Sequence, residues 1–135
     1  MNPMLKVSAA VLIAAMSAGP VFAAVDAATV VMGTSADIVP ASDLDKVIGT
    51  WHRADIKALA GATTVNVFDT KTLYSPADLK LVGEADTKMA TDLGKFHAAL
   101  DADAALKAWF AKNKIEVSRV IAVTDTNHNV DVYLY

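Results

Sequence analysis

The chain has 135 residues, with 12 Lys and Arg against 15 Asp and Glu, and no cysteine. Its net charge of −3 comes without any basic run that would follow a phosphate backbone, so no nucleic acid is expected as a partner. Disulfides and thiolate metal sites are excluded, and the fold must stand on packing alone.

Residues 1–23 have the three-part layout of a secretory signal peptide of the Gram-negative type. Lys6 and the amino terminus supply a short positive region, and Val7 to Ala18 an apolar stretch. Gly19-Pro20 breaks a helix, and Val21-Phe22-Ala23 places small residues where a leader peptidase cuts. The apolar stretch is shorter than the roughly 20 residues of a membrane span. Cleavage is therefore expected after Ala23, with no stable membrane span left behind and a periplasmic or secreted location. Lys6 is the only charge the leader carries away, so the mature chain is one unit more negative. The mature chain from Ala24 onward is long enough for one domain and too short for two.

Residues 24–40 read as a largely irregular N-terminal segment, with Thr29-Val30-Val31-Met32 a short strand candidate and Pro40 closing it. Residues 41–135 read as a single α/β domain. Ser42-Asp43-Leu44-Asp45 fits a capping box, with Ser42 as N-cap. Leu44, Val47, Ile48 and Trp51 follow at helical spacing, then Ile56 and Leu59 up to a stop at Gly61. Gly49-Thr50 weakens the middle, which favours two short helices over one. Thr63 to Phe68 turns to β-branched and aromatic residues and predicts a strand.

Ser75-Pro76-Ala77-Asp78 is a helix start, with Ser as N-cap and Pro at the first helical position. Leu79 and Val82 share a face, and Gly83 is expected to end or bend the helix. Met89, Leu93, Phe96 and Leu100 then form one apolar stripe. Asp101 or Asp103 caps a further helix with Leu106, Trp109 and Phe110 on its buried side, stopped by Asn113. Val117 to Thr124 predicts a strand, Asp125 to Asn129 a turn, and Val130 to Tyr135 an alternating strand, together a β-hairpin.

The expected fold is a small two-layer α/β (α+β) sandwich: a three- to four-stranded sheet, ending in this hairpin, against three to four helices. A parallel pairing of the Thr64 strand with the Val117 strand would leave Val130 to Tyr135 at the sheet edge. The expected core includes Leu93, Phe96, Trp109, Phe110, Ile121, Val123 and Val132.

Catalytic signatures are missing. His52, His97 and His128 have no metal-ligand spacing, and the nearest local pair is His52 with Asp55. Asp125 to Asn129 alternates oxygen side chains as a calcium loop does, but Val130 stands where that loop needs glycine. There is no Gly-x-Ser-x-Gly elbow and no phosphate-cradling glycine loop. Acid pairs such as Asp43 with Asp45 sit at helix starts, where capping accounts for them. A membrane β-barrel needs at least eight strands and is rejected. No catalytic residue, metal site or cofactor is therefore expected.

The expected function is that of a binding or protein-interaction module of the cell envelope. The alternative is a small hydrolase whose site assembles only in three dimensions, as a pocket joining a histidine to carboxylates. Tyr133 and Tyr135 share one side of the last strand and are the expected interaction face, for self-association or for strand addition by an envelope or secreted partner. Cover by residues 24–40 of the same chain is the competing expectation for these two tyrosines.

Overall fold

The computed structural model describes residues 28–126 and 129–135. The leader read over 1–23, its cleavage site and His128 lie outside the described residues. In chain order the elements are β1 (Thr29–Met32), the single-turn helix α1 (Ala41–Leu44), α2 (Arg53–Ala60) and β2 (Thr64–Asp69). Then come the single-turn α3 (Thr70–Leu73), α4 (Pro76–Lys88), α5 (Ala90–Asp101), α6 (Ala104–Lys112), a 3-10 turn (Val117–Arg119), β3 (Val120–Thr126) and β4 (Asn129–Leu134). The architecture is a small two-layer α/β fold around one four-stranded mixed sheet.

Helix boundaries follow local chemistry. The Ser75 hydroxyl accepts from the Asp78 N–H at 3.3 Å with Pro76 leading α4, and Asp103 accepts from the N–H groups of Ala105 and Leu106 at 3.1 Å each. Gly49 has φ +77° and is buried, so the chain turns there and Leu44–Ile48 separates from α2. α6 stops at Asn113, whose side-chain amide donates to the Trp109 carbonyl at 2.9 Å. Lys114 then takes φ 59°, which lets the Ile115 N–H reach the Phe110 carbonyl at 2.9 Å.

Two expectations about helix ends are corrected. Pro40, not Ser42, is the N-cap of α1, and Ser42 lies inside that single turn with its side chain exposed. Gly83 does not end its helix: α4 runs through it to Lys88, and the break falls at Met89. The reason is tertiary, because the space a Cβ would take at position 83 is occupied by the Tyr135 phenol.

The sheet order is β1-β2-β4-β3, with β1 and β2 parallel, β2 and β4 parallel, and β3 antiparallel to β4. The C-terminal strand is therefore interior, and β2 pairs with β4 rather than with β3. Side chains explain this placement. Val130, Val132 and Leu134 are buried on one face of β4, while Tyr133 is buried on the other and stacks on Phe68 of β2 at 5.1 Å. On that second face the Asn66 amide donates to Asp131 at 2.8 Å, which fixes the register between neighbouring partly buried polar groups. A strand that buries side chains on both faces belongs inside a sheet. β3 carries Thr124 and the exposed Asp125 toward its end, and suits an edge.

The core joins the sheet to α2, α4, α5 and α6, and holds every residue expected there: Leu93, Phe96, Trp109, Phe110, Ile121, Val123 and Val132 are all buried. Trp109 meets Phe110 edge-on at 5.1 Å, and Trp51 stacks on Phe96 at 5.4 Å while its indole N–H donates to the Asp92 carbonyl. No described helix is long and apolar enough to cross a membrane.

Candidate functional site

Each histidine within the described residues has a partner within the chain. His97 on α5 places Nε2 2.7 Å from the Val120 carbonyl, a bond in which the ring nitrogen must be the donor. His52 is the N-cap of α2. Its backbone N–H donates to Asp55 Oδ2 at 2.8 Å, its Nδ1 lies 3.8 Å from the same oxygen, and its ring is 80% exposed. Among the described residues no three His, Asp or Glu side chains converge as a metal site would require.

Tyr133 is held inside the fold, and Tyr135 is half-buried against the core. Tyr133 is 2% exposed, and burial, with Asp131 next in effect, pushes its hydroxyl above the ordinary range, partly opposed by a hydrogen bond from Thr124. Tyr135 lies past the end of β4. Its N–H donates to the Arg119 carbonyl at 2.9 Å, and its own carbonyl accepts from Arg119 Nε at 3.2 Å. Arg119 also pairs with Asp69 at 3.0 Å, and Lys71 stands 4.9 Å over the Tyr135 ring. The edge geometry expected of these two tyrosines belongs to other residues.

Among the described residues the sheet ends in two edges, β1 and β3. In β1 the N–H groups of Thr29 and Gly33 donate to the carbonyls of Thr63 and Val67, so alternate residues face β2. By the same alternation Val30 and Met32 turn both N–H and C=O away from the sheet. Val31 is 43% and Met32 64% exposed, and Thr29–Met32 contains no charge. This is an edge without the usual guards of lysine, proline or a bulge.

β3 is different. Its pairing with β4 runs to Thr126 opposite Asn129. The Leu134 carbonyl faces the β2 side, where the Thr70 hydroxyl donates to it, and the Tyr135 N–H faces Arg119, so by alternation Asn129, Asp131 and Tyr133 of β4 address β3. Ala122, Thr124 and Thr126 therefore address β4, while Val123 and Asp125 direct their backbone groups outward. At the start of the strand an irregularity between Val120 and Ala122 turns carbonyls outward. That of Ile121 accepts from the Gly49 N–H at 3.3 Å, and that of Val120 is taken by His97. Beyond Ile121 the edge borders a cleft of about 250 Å³, whose opposite wall is Thr50, Trp51, His52 and Asp55, with Phe96 at its base.

The sequence pairs His52 with Asp55 locally, and the fold adds Thr124 and Asp125 from about 70 positions away. No local pattern announces that meeting. Of the hydroxyls there, that of Thr50 donates to the Val47 carbonyl at 2.9 Å. Comparison with protein-family models, with curated proteins and with solved structures finds no match.

Proposed function

We propose that the protein is an exported protein-interaction module of the cell envelope, working through strand addition at β1. The observation that carries the reading is the outward pair Val30 and Met32 on an uncharged, exposed edge strand. An extended segment of a partner would satisfy those backbone groups, and Val31 and Met32 would supply apolar contact. The signal-peptide layout of residues 1–23 supports export to the periplasm or beyond. The hydrolase reading is less favoured, because His52 pairs with Asp55 and no hydroxyl among the described residues hydrogen-bonds to its ring.

The test has two parts. Protein recovered from the periplasmic fraction should begin at Ala24, and material that keeps Met1 in the membrane fraction would contradict export. The tagged protein should retain a defined envelope partner that a Val31→Lys, Met32→Lys variant loses while keeping its melting temperature. Equal retention by the folded variant would contradict the β1 assignment.

A further inference from the structure

We infer that the cleft beside β3 is a second, independent site that takes a short extended peptide and selects one with a lysine or arginine side chain. It lies at the opposite edge of the sheet from β1. Backbone geometry supplies the first part of the argument. At Val120 and Ile121 the edge is already covered by groups of this chain, His97 and the Gly49 N–H. After Gly49 the chain leaves the strand, passes Thr50 and Trp51, and enters α2. Val123 and Asp125 are left facing the cleft with both an N–H and a C=O. An extended segment laid there continues a pairing that Gly49 begins, between a sheet edge and a helix start, which is the setting of strand addition in a groove.

Size and charge narrow the occupant. A volume of about 250 Å³ holds one or two residues in section, not a folded domain. Two carboxylates, Asp55 and Asp125, line the cleft, and no lysine or arginine does. Asp55 is engaged through one oxygen by the His52 N–H, so Asp125, exposed on the strand edge, is the principal cation acceptor. Trp51, held flat on Phe96, offers an apolar surface for the stem of a long basic side chain and a ring face for its head. A bare metal ion is the poorer occupant, since no three ligands converge among the described residues. Asp125 thus has two roles: its backbone pairs with the incoming segment and its side chain reads the charge.

The probe is a pool of blocked five-residue peptides with Val or Thr at the outer positions and lysine at the centre, titrated into the protein under amide NMR. The expected result is movement of the Val123 and Asp125 amides and of the Trp51 indole signal, with β1 amides unmoved. A matched pool with norleucine at the centre should bind about tenfold more weakly. Asp125→Asn, which keeps the strand backbone, should erase that difference. Silence at Val123 and Asp125 up to about 1 mM peptide would overturn the site. Equal binding of the lysine and norleucine pools would overturn charge selection. Equal binding of blocked single lysine and the pool would overturn strand addition.

Discussion

Gly83 lies directly against the phenol of Tyr135: a Cβ at position 83 would stand 2.6 Å from the Tyr135 Oη and 3.3 Å from Cζ. The tyrosine is half-buried against the core and its N–H and carbonyl are both tied to Arg119, so its ring has to shift to admit a Cβ. In an open helix, Gly to Ala gains about 1 kcal/mol. At Gly83 the sign should reverse, with a loss of about 1–2 kcal/mol from overpacking. Denaturant unfolding should show Gly83→Ala destabilised and partly restored by Tyr135→Phe, which removes the closest atom. Gly94, inside α5 with nothing within 4 Å of its Cβ position, is the control: Gly94→Ala should stabilise by about 0.8 kcal/mol. A stabilising Gly83→Ala would show that the Tyr135 contact is not maintained.

The aromatic cluster should dominate stability. Phe96 and Trp109 are 1% and 2% exposed, and each truncation to Ala leaves a large cavity. Each should cost about 3–5 kcal/mol, a large share of a domain's stability. Thermal melts of Trp109→Ala read this directly, and an unchanged midpoint would remove α6 from the core.

Alkaline sensitivity should trace to Tyr74. Burial chiefly, then the neighbouring Tyr133, Asp78 and Asp43, push its hydroxyl from 10.0 up to about 12, and it donates to the Val39 carbonyl. The folded chain holds this proton more tightly than the unfolded chain does. Its contribution is therefore whole below about pH 10 and is lost as pH rises toward 12. Tyr74→Phe should cost about 1 kcal/mol at pH 7 through the lost hydrogen bond. It should also flatten the fall in urea midpoint between pH 10 and 12, where Tyr133, shifted the same way, sustains part of the slope. An unaltered slope would show that Tyr74 does not hold its proton.

Much of the fold is legible in the sequence where one local rule decides. Ser75-Pro76 starts α4, Asp103 caps α6, and the Leu93–Phe96–Leu100 stripe is buried as its spacing predicts. Thr29–Met32 is a strand, which raises the sheet to four strands. Strand order is not legible in that way. The hairpin of β3 and β4 can dock on β2 by either strand, and the choice falls to cross-strand pairs, Phe68 with Tyr133 and Asn66 with Asp131, that lie 65 positions apart. Gly83 misleads for the same reason, since its purpose is a contact with the far end of the described chain. The edge predicted for Val130–Tyr135 moves to β1 and β3, and the cleft at β3 exists only once Asp55 and Asp125 share one side of the sheet.

The central claim, partner strand addition at β1, is most directly tested by a photo-crosslinking residue at position 32 of the exported protein. A discrete cross-linked adduct is expected from position 32 and not from the exposed α5 position Lys95. Val30→Pro is the deciding variant. It removes an N–H that points away from β2 and leaves the β1–β2 bonds of Thr29 and Gly33 in place. Loss of the adduct in a folded Val30→Pro protein is the predicted result, and an adduct of undiminished yield would contradict strand addition at this edge.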